Sequence, residues 1–371
     1  MFLGRAYLRA MDEITRKTAR KGRGALTNAV GRFEGYDHVA IDDGWGSADE
    51  PVLPLGTTLT EDTTRTIIAR NRSPDVPFDR SINPYRGCEH GCVYCFARPT
   101  HAYLGLSPGL DFESRLFYKP RAAELLAKEL SAPSYRCQPM AMGTNTDPYQ
   151  PVEREQRVTR QVLEVLRDFN HPVSIVTKGA LVQRDIDILG PMAVKRQAKV
   201  AVSITTLDRS LARRMEPRAA TPERRLETIR VLADAGIPVG VMAAPMIPGL
   251  NDHEMEAILE ASKAAGATSA GYVVLRLPLE IKDLFAEWLE AQVPLRAKHV
   301  LTLIRDIRDG RLNSAQFGDR MRGGGAYADL LSQRFRLALK RIGLNQGREL
   351  QELDCSQFRR PPRAGDQLSL F

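Results

Sequence analysis

Long apolar runs are missing from this sequence. The longest charge-free stretch, Gly236 to Leu250, is interrupted by three prolines and is too short to span a bilayer. Behind Arg5 and Arg9 there is no apolar segment, so no secretory signal is expected, and Asp12 and Glu13 count against an Arg-rich organelle leader. A cytoplasmic location is the expectation. Aromatic residues make up only 6% of the chain, while hydrophobic residues at 43% and charged residues at 26% are ordinary, so neither a fibrous nor a membrane composition is present. Cysteine is also scarce. Five in 371 residues are too few for a disulfide scaffold and cannot all pair. No internal repeat of solenoid period is visible.

What is present begins with positive charge. The net charge is +8, and two segments more than account for it: residues 1–24 hold seven Lys or Arg against two acids, and residues 331–363 hold eight against three. Basic ends around a neutral centre suit a protein that holds a polyanion such as nucleic acid, and they suit a solubilising surface equally well. Residues 1–75 are irregular and read as a basic extension covering a neighbouring unit. From Ser81 onward helical stretches alternate with short β-type runs at Gln138–Gly143, Val173–Thr177, Val200–Ile204, Ile237–Ala244 and Tyr272–Leu275, with a first strand near Ile82–Tyr85. Apolar residues at Val158, Val162, Val165, Leu166 and Phe169 give one helix between them a buried face. This alternation predicts an α/β fold, a partial, open parallel β/α barrel of about six strands over residues 76–293. A helical, basic C-terminal region over residues 294–360 and a flexible tail over residues 361–371 are expected to follow. Chemistry in such folds sits at the carboxyl ends of the strands.

Three of the cysteines fall in Cys88-Glu-His-Gly-Cys92-Val-Tyr-Cys95, a CxxxCxxC spacing. Thiolates are soft ligands that suit zinc or an iron-sulfur cluster. A structural zinc would need a fourth ligand from His90, Cys137 or Cys355, and the usual second CxxC is missing. On a 4Fe-4S cluster, three thiolates leave one iron open, which is useful only if something else binds there.

The triplet, with Tyr94 before its last cysteine, resembles the radical S-adenosylmethionine (SAM) superfamily. Asn83-Pro-Tyr-Arg-Gly-Cys88, Thr146-Asp-Pro-Tyr-Gln-Pro-Val-Glu153, Thr177-Lys-Gly179, Val202-Ser-Ile-Thr-Thr206 and Glu216-Pro217 resemble the branch that includes spore photoproduct lyase and DNA-repair photolyase-like proteins. The resemblance implies a 4Fe-4S cluster on Cys88, Cys92 and Cys95 whose open iron chelates SAM. The reduced cluster then cleaves SAM to methionine and a 5'-deoxyadenosyl radical that abstracts hydrogen from a substrate, and an electron donor such as flavodoxin or ferredoxin is required. It implies cofactor-binding roles for Tyr94, Thr146, Lys178, Ser203 and Thr205. Asp147 and Tyr149 are expected to be catalytic, with Gln150 and Glu153 also facing the substrate.

Spore photoproduct lyase uses a cysteine after its second strand as hydrogen donor, and the matching place here lies near Thr144. Cys137 instead opens the predicted strand, roughly 20 Å from the reactive end at about 3.3 Å per residue, and reads as a structural thiol. Another donor such as Tyr149 would be needed. The expected substrate is DNA or RNA, as in repair, with the lyase or transferase type left open. The same chemistry on a protein or small metabolite is one alternative, and a non-catalytic metal-binding nucleic-acid protein is another. The last five residues, Gln367-Leu-Ser-Leu-Phe371, resemble the short peptide by which repair proteins dock on the bacterial DNA sliding clamp.

Overall fold

The computed structural model describes residues 21–34, 55–346 and 352–362. The expected clamp peptide and residues 1–20 of the basic N-terminal segment lie outside them. Ten strands can be followed: β1 (Thr58–Glu61), β2 (Ile68–Arg70), β3 (Arg80–Ile82), β4 (Tyr85–Arg86), β5 (Arg115–Tyr118), β6 (Met140–Met142), β7 (Val173–Thr177), β8 (Ala198–Ser203), β9 (Val239–Met246) and β10 (Ser269–Val274). Seven of them form one sheet in the order β10-β9-β8-β7-β6-β3-β2. All its neighbours run parallel except β2, which pairs antiparallel with β3 at the edge. This is the expected open parallel barrel of six strands, with one antiparallel strand drawn from the segment before residue 76.

The predicted run Ile82–Tyr85 is not one strand. Pro84 cannot donate to a ladder and splits it, so that Ile82 stays in the main sheet while Tyr85 enters a second sheet of order β1-β5-β4. Between parallel strands, helices close the core. In the helix Val158–Asp168, Val158, Val162, Leu163 and Leu166 are buried, a 3.6-residue stripe facing the sheet. The helix Pro222–Asp234 begins with Thr221, whose side chain accepts from Arg224 N, followed by Pro222 at its first position. Helices Ile281–Gln292 and Pro294–Asp306 build a smaller core around Trp288, which also takes in Cys92, Val93 and Tyr94.

At the amino ends of the strands, residues 352–362 are strapped across the barrel. Asp354 N donates to Arg196 O at 2.9 Å and Arg359 N to Phe169 O at 3.1 Å. The Phe358 ring packs on Tyr135, Phe169 and His171. Cys137 and Cys355 face each other here. Burial first, and then Cys355, push the Cys137 thiol above its ordinary range.

Candidate active site

The cysteine loop is built from its own surroundings. Cys88 N donates to Phe112 O at 2.9 Å and Val93 N to Met215 O at 3.0 Å. Arg98, fully buried, donates from Nε to Cys92 O at 2.9 Å and from Nη2 to Gly91 O at 3.1 Å, and it pairs with the buried Glu113 carboxylate. Glu113 in turn accepts from Gly24 N and Ala25 N, each at 2.8 Å. Gly24 lies so close that a Cβ there would sit 1.9 Å from Gly91 O, so only glycine fits.

Cys88, Cys92 and Cys95 are free and line one cavity of about 550 Å³. Its other walls come from the carboxyl ends of strands: Gly143 to Asp147 after β6, Thr177 and Lys178 at β7, Ser203 at β8, and Leu275 and Arg276 after β10. That volume falls within the roughly 300–1,000 Å³ of small-molecule sites. Burial pushes all three thiols upward, Cys92 to about 12, so a metal centre must displace their protons.

Lys178 Nζ donates to Ser203 Oγ at 3.1 Å and lies 5.7 Å from the Tyr94 ring centroid. Behind Tyr94, Glu216 accepts from its hydroxyl, from Thr205 Oγ1 at 2.5 Å and from Arg225. Burial alone would raise the Glu216 pKa, but Arg225, Lys178 and these hydrogen bonds hold it at about 2. Asp147 Oδ1 accepts from Thr177 Oγ1 at 2.6 Å, Asp147 Oδ2 accepts from Lys178 N at 2.7 Å, and His90 Nδ1 is 3.3 Å from Asp147 Oδ2. Burial again opposes ionisation, yet His90 and these donors keep Asp147 at about 2.

Of the residues expected from sequence, Cys88, Cys92, Cys95, Tyr94, Thr146, Asp147, Lys178 and Ser203 share the cavity. The other four do not reach it. Thr205 sits behind Tyr94. Tyr149 is turned under the wall into the main core with its hydroxyl toward Asp185, because Asp147 Oδ1 accepts from Tyr149 N at 2.9 Å and reverses the chain. Gln150 is fully buried and braces the cysteine loop, accepting from Glu89 N at 2.8 Å and donating to Gly87 O at 3.3 Å. Glu153 accepts from Thr159 N at 2.9 Å and pairs with Arg184 at 2.7 Å, so it caps the next helix. Sequence reasoning missed Glu216 as a support, Phe96 and Arg276, and it weighed His90 only as a zinc ligand, where the structure places it beside Asp147. Of these, Phe96 could have been suspected from its place beside the cysteine triplet.

No three His, Cys, Asp or Glu side chains among the described residues are grouped tightly enough to hold one metal ion. Three thiols around a larger cavity fit a polynuclear cluster, in which each thiolate has its own iron.

Fold and thiol-lined cavity together define a radical SAM enzyme, and the chain belongs to that superfamily: residues 82–261 match the radical SAM family. Among relatives, it is 38% identical to the uncharacterized protein Rv2578c of Mycobacterium tuberculosis over 231 residues, 61% of this chain and 68% of that one. It is 28% identical to the uncharacterized protein MJ0683 of Methanocaldococcus jannaschii over 174 residues, 47% of this chain and 62% of that one. Its fold is shared with a spore photoproduct lyase complexed with dinucleoside spore photoproduct, at a TM-score of 0.51, 14% identity, and coverage of 76% of this chain and 79% of that one. A 4Fe-4S cluster and SAM are the cofactors this family implies. No helix among the described residues is long and apolar enough to cross a membrane.

Proposed function

We propose that this chain holds a 4Fe-4S cluster on Cys88, Cys92 and Cys95, binds SAM in the adjoining cavity, and abstracts hydrogen from a nucleic-acid substrate, with DNA repair as the leading role. The observation that carries this reading is the convergence of three free thiols, Lys178, Ser203 and Tyr94 on one cavity at the strand ends. When bound, the reduced cluster supplies the electron that breaks a carbon–sulfur bond of SAM. The chain's own groups do the rest. Lys178 offers a cation for the methionine carboxylate and is aimed by Ser203 Oγ. Tyr94, fixed by Glu216, forms a wall for the adenine. Asp147, ionised and accepting from Lys178 N, acts as a positioning group. An electron-transfer partner of the flavodoxin or ferredoxin class supplies the electron. Among the described residues no thiol outside the triplet lines the cavity, so a hydrogen-return step of the spore photoproduct lyase kind needs another donor.

Anaerobic reconstitution tests this reading. The protein is expected to take up iron and sulfide with broad brown absorbance and, once reduced, to form 5'-deoxyadenosine carrying deuterium from labelled DNA. Cys88→Ala, Cys92→Ala and Cys95→Ala each lose cluster and cleavage, whereas Cys137→Ala, at the opposite end of the barrel, keeps both. Full cluster content in any triplet variant would sink the assignment.

A further inference from the structure

The cavity rim carries cations that its carboxylates do not match. Arg70, Lys178, Arg276 and Arg320 line it, against Asp147 as its lone carboxylate. Arg320 is accounted for, since it pairs with Asp75, which also accepts from Gly318 N at 2.7 Å. Arg308, just behind, spends its Nη donors on the backbone oxygens of Leu275, Asp319 and Arg320. Arg276 is different. It stands two residues past β10, and although its Nε, like that of Arg308, is buried with no hydrogen-bond partner, no backbone oxygen among the described residues takes up its Nη donors. Its Nη1 donates to the Met321 sulfur at 3.7 Å, a weak acceptor. Among the described residues it forms no ion pair.

The carboxylate within electrostatic range of Arg276, Asp75, is already taken by Arg320 and Gly318 N, so this part-buried guanidinium has no anion of its own, and a ligand is one way of supplying it. The surroundings indicate what kind. The Arg276 guanidinium lies 5.1 Å over the Phe96 ring, and Phe96, next to Cys95, is 44% exposed. Close by, Arg320 lies 4.6 Å over Phe317, which is 55% exposed. Two open aromatic faces, each backed by an arginine, form a surface on which bases stack while phosphates meet the guanidinium groups.

We propose that Arg276 receives a backbone phosphate of a single-stranded or flipped-out nucleotide whose base stacks on Phe96, placing that nucleotide at the cavity mouth. This rests on the reading of the cavity as a nucleic-acid substrate site and deepens it by naming the residues that receive the phosphate and the base.

The test titrates the full-length reconstituted protein with three probes: a labelled single-stranded DNA, the same strand with abasic sites, and an acidic peptide of equal charge. Arg276→Gln is expected to weaken DNA binding about tenfold and to lower the slope of log affinity against log salt by roughly 0.7. Phe96→Leu should weaken binding of the normal strand about tenfold while leaving the abasic strand unchanged. Arg230→Gln, which removes a surface charge paired with Glu227, should change neither. An unaltered slope in Arg276→Gln, or equal losses on both strands in Phe96→Leu, overturns the proposal. So does a peptide that binds as tightly as DNA. Failure of SAM cleavage with these binding differences intact would instead sink the enzyme reading alone.

Discussion

Arg98 satisfies all five of its donors inside one loop: Cys92 O, Pro108 O, Gly109 O, Gly91 O and the Glu113 carboxylate. Lysine has three donors on a flexible stem and no planar fork, so the exchange is not conservative here. Arg98→Lys keeps a cation beside Glu113 but leaves some of these buried carbonyls unmet, at an expected cost of about 1–3 kcal/mol for each, measured by urea unfolding. A loss within about 0.5 kcal/mol, as at an ordinary surface site, would show that the network is not what holds the loop. The sequence disclosed the thiols because their spacing is local. It did not disclose the role of Arg98, whose partners lie within 15 positions but form no periodic pattern, nor that of Glu216, which meets Tyr94 across 122 positions. Nor could composition tell that Asp147 faces the cavity while Tyr149, two residues on, faces the core.

Among the elements, β7 was legible to the residue, because Val173-Ser-Ile-Val-Thr177 alternates between buried and half-buried faces. β6 came out shorter than its apolar run, since Pro139 precedes it and Gly143, at a φ of 86°, ends it. The strap 352–362 has no periodicity to read. It covers His171, whose Nδ1 lies 3.0 Å from Pro172 O and whose Nε2 lies 2.7 Å from Tyr135 Oη. Burial lowers the His171 pKa to about 4 from an ordinary 6.5, and burial does the same to His101. With folded-state values depressed, the stability these rings allow is whole above about pH 6.5. It drains as pH falls toward 4, because only the unfolded chain then takes up the protons. Unfolding measured across that window should show a loss of about 3 kcal/mol per ring. His171→Gln is expected to remove one ring's share, and an unchanged pH profile would show that His171 is not responsible.

At the scale of the molecule, the +8 net charge is less available than composition suggests. In the helix Gly325–Ile342, Arg334 pairs with Glu256 at 2.6 Å and the exposed Arg341 with Glu260 at 2.5 Å, and Arg336 and Lys340 stand outside these pairs. Arg23 is also committed, since it is buried and donates to Glu113 O at 2.6 Å. Deleting residues 1–20 is therefore the cleaner test of N-terminal charge. Removal of five Lys or Arg and two acids should flatten the salt dependence of DNA binding while leaving the cysteine loop folded. An unchanged slope would show that these charges only solubilise the protein. The brace around that loop, from Arg98, Glu113, Gly24 and Gln150, is made wholly of protein atoms. Many small metal domains are unfolded until their ion arrives, so maturation and folding are one event. Because none of these hydrogen bonds uses a bound group, the two are expected to separate here: a delivery machine would meet a finished socket, and protein stripped of its cluster by air would be recharged rather than made anew, which urea unfolding of the stripped protein would check.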